Sequence, residues 1–246
     1  MITANEIYLA LDKIMPFETQ EKWDNSGLLI NSGCASEKII CCLDVTKDVV
    51  EKAIQEKCNI IISHHPVIFS AIKSLDSNSI LHKIIKNNIS VISAHTNFDK
   101  YKYGTCFKLS EFCGLHGEIE YQELGIVVKL YESCDFEKFL IKVKNSVEIP
   151  VQYVKGNNKI LKVFVIAGSG KGMVEEIISS DCDCVITGES GYHDMLDLKE
   201  AGISTICIGH DESEKISVET LAHLIRNEFR DIEVISFIEK GIINYL

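Results

Sequence analysis

Two adjacent histidines, His64 and His65, stand in Ser63-His-His-Pro66, directly after the apolar run Asn59-Ile-Ile-Ile-Ser63. Further along, the chain twice repeats a His-x-x-x-carboxylate spacing, first as His95 and Asp99, then as His210 and Glu214. A neutral imidazole nitrogen is a standard ligand for Zn, Fe, Mn or Ni, and a carboxylate suits harder ions and can bridge two of them. His64, His65, Asp99, His210 and Glu214 together offer three imidazoles and two carboxylates. One open catalytic zinc takes three protein ligands. Five donors fit two divalent ions (Zn, Fe or Mn) about 3.5–4 Å apart, sharing a bridging carboxylate and a bridging water. Such a pair would acidify the water and stabilise the oxyanion formed on attack, which is hydrolase chemistry. A non-catalytic metal carrier or a regulatory protein would use the same donors. No H-E-x-x-H motif fixes the set, and the plainer alternative is a pair of surface histidines beside acid-rich loops. His95, His193 and Glu189 also follow apolar runs and are the candidates for passing protons. His82, His116 and His223 lie on helical or loop patterns and read as structural or solvated.

The elements that must position these residues alternate between short β-type runs and helical patterns, the mark of an α/β fold. Strands are expected at residues 39–44, 59–63 and 89–94, with helices at 47–57 and 79–86 between them. The second half repeats the scheme with strands at 161–166, 184–187 and 203–208 and helices at 173–179 and 192–200. Residues 125–131 and 151–154 add strands, and 135–147 a helix. The near-continuous apolar character of the strands suits sheets covered on both faces. Asn88-Ile-Ser-Val-Ile-Ser-Ala-His95 resembles Gly202-Ile-Ser-Thr-Ile-Cys-Ile-Gly-His210 apart from one extra residue. The expectation is therefore two similar α/β domains, residues 1–122 and 123–246, related by internal duplication. Chance likeness between generic α/β units is the alternative. In open α/β sheets, ligands bind at the carboxyl ends of strands, where the histidines and carboxylates are concentrated.

Composition narrows the function. The 246 residues carry 25 Lys+Arg against 36 Asp+Glu, a net charge of −11, so the broad basic footprint of a nucleic-acid binder is missing. Arg226 and Arg230 are the only arginines, which leaves almost no bidentate clamp for phosphate or carboxylate. Gly168-Ser-Gly-Lys-Gly172 fails the phosphate-loop pattern, because Val165 stands where the first glycine belongs and Gly172 follows the lysine in place of Ser or Thr. A tight strand-to-helix turn is expected there. Trp23-Asp-Asn-Ser-Gly27 reads as a turn with the indole plugging the core. The first ten residues carry an acid and no basic stretch, so no secretory leader is expected, and no apolar run approaches the ~18 residues of a membrane span. The ten cysteines form no C-x-x-C pair, and several lie in Ile/Val-rich runs where a thiol acts as a small apolar group. A reduced, cytoplasmic protein is expected, with no membrane partner.

Seven pieces in order resemble the NIF-three-like family, the GTP cyclohydrolase 1 type 2 homologues. They are Trp23-Asp-Asn-Ser-Gly-Leu-Leu29, Leu43-Asp-Val-Thr46, Ser63-His-His-Pro66, Ala94-His-Thr-Asn-Phe-Asp99, Ala167-Gly-Ser-Gly170, Thr187-Gly-Glu189 and Gly209-His-Asp-Glu-Ser-Glu214. The resemblance implies two α/β domains with a dinuclear metal site in the cleft between them. It also implies a ring-shaped homohexamer with its sites facing inward and, by position, the same five metal ligands. Some relatives insert a domain between the halves, for which the short link at residues 119–123 leaves no room. Opening the ring of GTP would also require control of a triphosphate, for which the chain shows no recognisable grip.

Overall fold

The computed structural model describes residues 1–244. The chain divides into two compact units: Met1–Tyr101 with Ser217–Glu239, and Lys102–Ile216 with the segment from Lys240 onward. In chain order the first unit holds β1 (Ile2–Thr3), α1 (Ala4–Ile14), β2 (Gly27–Ile30), β3 (Ala35–Ser36), β4 (Lys38–Cys42), α2 (Lys47–Gln55), β5 (Ile60–Ser63), α3 (Ile80–Lys86), β6 (Ser90–Ser93) and α4 (Thr96–Asp99). The second holds α5 (Thr105–Phe112), β7 (Gly117–Tyr121), β8 (Ile126–Asp135), α6 (Phe136–Ser146), β9 (Gln152–Val154), β10 (Lys159–Ser169), α7 (Val174–Ser179), β11 (Cys184–Glu189), α8 (Tyr192–Glu200), β12 (Ser204–Cys207) and α9 (His210–Glu214). α10 (Ile216–Glu228) and β13 (Glu233–Phe237) then complete the first.

The first unit is built on a five-stranded sheet of order β13-β4-β5-β6-β2. Its four neighbours β13, β4, β5 and β6 are parallel, and β2 pairs antiparallel with β6. Side chains alternate across a strand, and the burial follows that period. Ile39, Cys41, Ile60 and Ile62 pack with Ile7 and Leu11 of α1 and with Val218, Leu221 and Ile225 of α10. Ile40, Cys42 and Ile61 turn the other way, onto Val49, Val50 and Ala53 of α2 and Ile84 of α3. Each fully buried Ile, Val or Leu contributes about 1.5–3 kcal/mol relative to exposure. The helices start on side-chain caps: Thr3 and Glu6 form a reciprocal capping box on α1, and Thr46 and Ser79 cap α2 and α3.

The second unit carries a six-stranded mixed sheet of order β7-β8-β10-β11-β12-β9. β10, β11 and β12 run parallel, with β8 antiparallel to β10 and β9 antiparallel to β12. Val163, Val165, Cys184, Ile186 and Ile206 pack on α5 and α6 through Leu109, Phe136, Phe139 and Val143. Phe164, Ile166 and Val185 pack on α7 and α8 through Ile177 and Leu198. Both sheets are thus covered on both faces, as the apolar strands require.

Three expectations need correction. The division at residue 122 falls instead after Tyr101, and the chain's end does not belong to one half. The cause is pairing: β7 hydrogen-bonds to β8, which places residues 117–121 inside the second sheet, whereas β13 pairs with β4 of the first. The expected link at 119–123 is therefore largely a strand. Trp23 is not a core plug, since it is 55% exposed. The strand at 161–166 runs on to Ser169, so the turn before α7 begins only at Gly170. All ten cysteines are free, eight of them buried. Among the described residues, no helix is long and apolar enough to cross a membrane.

Candidate metal centre

In the first unit, the backbone pairing of β5 with β4 continues past Ser63 into the histidine pair. His64 N–H donates to Cys42 O at 3.0 Å and His65 N–H to Leu43 O at 3.0 Å. The two rings therefore leave the sheet at the carboxyl end of β5. Buried serines fix the turn: Ser63 Oγ donates to His65 O at 2.7 Å, and Ser63 and Ser93 share a hydroxyl contact of 2.8 Å. After β6, a single helical turn carries the next two groups. Asp99 N–H donates to His95 O at 3.0 Å, so the His-x-x-x-Asp spacing stacks both residues on one face. One ring nitrogen from each of His64, His65 and His95 lies within 4.8 Å of the other two. Their ring centroids are 5.2–5.5 Å apart.

The hydrogen bonds of these rings define which nitrogen is available. His64 is fully buried, and its Nδ1 lies 2.9 Å from Ala94 O. A carbonyl only accepts, so Nδ1 carries the proton and Nε2 presents its lone pair. That Nε2 faces Asp99 Oδ1 at 3.7 Å. Imidazole nitrogen and carboxylate oxygen ligands each sit about 2.0–2.2 Å from a zinc ion, so this separation fits two donors to one cation. His65 Nδ1 is 2.8 Å from Asp44 Oδ1, and His95 Nδ1 is 2.8 Å from Asp24 Oδ1. Each ring thus has its Nδ1 tied back. Imidazole ligands of metals show this arrangement, with the other nitrogen donating to a carboxylate or carbonyl.

Asp24 and Asp44 were not singled out by the sequence reading as site residues. The signal was present: Asp24 lies in the Trp23–Gly27 turn, where a turn-forming role explained it equally well, and Asp44 closes the apolar run 39–44. Asp24 is enclosed by donors: His95 Nδ1–H and Asn25 N–H on Oδ1, and Ser26 Oγ–H, Thr96 N–H and Thr96 Oγ–H on Oδ2. Burial alone would raise its pKa, but the hydrogen bonds from His95 and Thr96 outweigh that and hold the carboxyl well below the usual range. Beside His95 stands Trp23, edge-on at 5.9 Å between centroids, with Phe69 at 6.1 Å from the indole.

In the second unit, Gly209 at φ 90° turns the chain from β12 into α9, a conformation that glycine adopts without strain. His210 and Glu214 then sit one turn apart, with Nε2 and Oε2 at 3.1 Å, and Glu189 at the end of β11 meets His210 Nδ1 at 3.2 Å. Glu214 is buried, and its carboxylate lies against Gly168, where a Cβ would come within 2.1 Å of Oε1. Gly168 N–H donates to Ser213 Oγ at 2.9 Å and locks α9 against β10. The structure therefore brings together His64, His65, His95 and Asp99 in one unit, and His210, Glu214 and Glu189 in the other. His193 joins neither group; it is exposed on α8 with its ring against Tyr192.

Comparison with known proteins gives a consistent result. A Helicobacter pylori protein named GTP cyclohydrolase 1 type 2 is 35% identical over 224 residues, covering 87% of this chain and 88% of its own. A Clostridium acetobutylicum GTP cyclohydrolase 1 type 2 homolog is 33% identical over 228 residues, covering 86% and 85%. Among solved structures, a hypothetical protein of Staphylococcus aureus superposes with a TM-score of 0.88 at 28% identity, over 100% of this chain and 99% of that one. The family model described as Duf34/NIF3 (NGG1p interacting factor 3) matches residues 2–240, which span both histidine groups and the strands that carry them, and the chain belongs to that family.

Proposed function

We propose that the protein is a dinuclear metal-binding hydrolase, with His64, His65, Asp99, His210 and Glu214 as ligands to two divalent ions (Zn, Fe or Mn). The observation that carries this reading is His64: a buried ring, forced by Ala94 O to present Nε2 toward a carboxylate oxygen 3.7 Å away. His65, backed by Asp44, and His210, backed by Glu189, have the same donor chemistry. The two groups come from different units, so the reading requires them to meet in the cleft between the domains. When bound, the ions would acidify a coordinated water and polarise the substrate. The protein's own groups would do the rest. Asp24 holds His95 with Nε2 available to accept a proton, while Glu189 orients His210 and could pass a proton to solvent. His193, on its exposed helix, is the third proposed proton carrier. The parallel trios β4-β5-β6 and β10-β11-β12, each flanked by an antiparallel strand, support an internal duplication.

The substrate in this reading is a small molecule. The names of the relatives point to GTP, but two arginines in the chain give little purchase on a triphosphate. A cytoplasmic ring-shaped homohexamer is part of the same proposal. The test is elemental analysis of protein purified without added metal, followed by a turnover screen against nucleotides, phosphoesters and cyclic amides. About two ions per chain, with turnover lost in His64→Ala, is the expected result. Delivery of metal to an apo-acceptor without any turnover would favour the carrier, and a chain unable to take up ions would overturn both.

A further inference from the structure

The second unit contains a cavity of about 390 Å³ between the end of β8 and α6, made by residues with no part in the metal reading. Its size falls in the range of small-molecule sites. The floor is apolar: Leu130 and Phe139 both line it, and both are buried in the unit's core. Its rim is basic, with His116, Lys138 and Lys142 on the wall and Glu132 as the one acid. The two lysines are one turn apart on α6, so their ammonium groups rise on the same side. Gly114, at φ 66°, leaves room for the Lys142 stem, whose Cε lies 3.2 Å from where a Cβ would stand.

Nine of the 23 lysines are held by acids. Lys38, Lys52, Lys83, Lys100, Lys108, Lys155, Lys159, Lys162 and Lys215 all sit on carboxylates. In a chain with eleven more acids than bases, carboxylate partners are plentiful. Lys138 and Lys142 are among the fourteen that form no ion pair among the described residues, and they are the two that line this apolar-floored cavity. We infer that this cavity binds a small amphiphilic organic anion, its apolar body on Leu130 and Phe139 and its single anionic group between Lys138 and Lys142. The Ser133 hydroxyl, also on the wall, offers that group a further donor.

The probe is 8-anilinonaphthalene-1-sulfonate, an apolar ring system with one anionic group, titrated into the full chain with a chelator present so that the metal reading plays no part. Saturable emission with one site per chain is expected, weakening as sodium chloride screens the contact. The double charge reversal Lys138→Glu, Lys142→Glu, at exposed positions that leave the core untouched, is expected to weaken binding about tenfold. Ser133→Trp, which fills the cavity mouth from an exposed position, is expected to abolish it. The inference is overturned if the unaltered chain shows no saturable binding. It is also overturned if the uncharged N-phenyl-1-naphthylamine binds as well as the sulfonate, or if either variant binds like the unaltered chain.

Discussion

Replacing Asp24 by asparagine keeps the shape of the side chain and removes its charge. The carboxylate has no exposed side-chain surface, and every group around it is a donor, with distances from 2.5 to 3.0 Å. An amide must point its NH₂ at one of those two sets. Facing Thr96 and Ser26, it loses three acceptor contacts; facing His95, it loses two and drives the ring to the other tautomer, with the proton on Nε2. Hydrogen bonds to a charged group are worth about 1.5–3 kcal/mol each, and partial rearrangement leaves an expected loss of about 3 kcal/mol in unfolding free energy. Zinc affinity should stay within about twofold, because the ring that Asp24 orients is the proposed proton carrier His95 and not one of the five proposed ligands. Urea unfolding of chelator-treated protein reads the first quantity, and a zinc competition titration at pH 7 the second. The sign with pH follows from the lowered carboxyl. A group with a depressed folded pKa stabilises above its unfolded value, near 3.9, and that stability is lost as pH falls through the folded one. The gap between native and D24N protein is therefore full at neutral pH and narrows below about pH 4. Equal urea midpoints at pH 7 would refute this account of Asp24, as would a tenfold loss of zinc affinity.

Gly168→Ala places a methyl 2.1 Å from Glu214 Oε1 on a backbone at φ 62°. The left-handed backbone alone should cost about 1–2 kcal/mol, and the displaced carboxylate should weaken zinc binding in the same titration. Thr3→Ala breaks the capping box of α1 and touches none of the proposed ligands, so about 1 kcal/mol of stability should go with zinc affinity unchanged. A thiol-reactive dye should label Cys34 and Cys134 quickly in the folded chain and the eight buried cysteines only on unfolding. Burial pushes Cys113 up to about 12 and Cys207 up to about 11, which keeps their reactive thiolate forms scarce.

Much of the architecture could be read from pattern alone. The runs around Ile40, Ile61, Phe164 and Val185 are apolar at consecutive positions, so burial on both faces followed directly, and the helix at 192–200 matches α8 residue for residue. The C-terminal α10 and β13 were harder. Glu233-Val-Ile-Ser-Phe237 alternates weakly and looks like many surface segments; only its pairing with β4, a partner 195 residues away at Glu233 and Lys38, makes it a sheet strand. The same limit hid Asp24. Nothing local distinguishes a turn-forming aspartate from one that holds a histidine 71 residues distant. Trp23 was misplaced because a lone tryptophan normally finds the core, whereas here it stands exposed beside His95. His64, His65 and Asp99 stood out as candidates because they follow expected strands, where the backbone ladder ends and side chains are released.

The return of the chain to its first sheet sets an order on manufacture. A ribosome finishes Lys102–Ile216 before it has made the helix and strand that close the earlier sheet. Until Val218, Leu221 and Ile225 emerge, the faces of Ile39, Ile60 and Ile62 that they cover remain wet, along with the open edge of β4. The sheet made later is thus the first able to mature, while its host waits for Val218 to Phe237. A chain cut short just after Ile216 would leave with the insert's sheet complete and an unfinished, aggregation-prone frame.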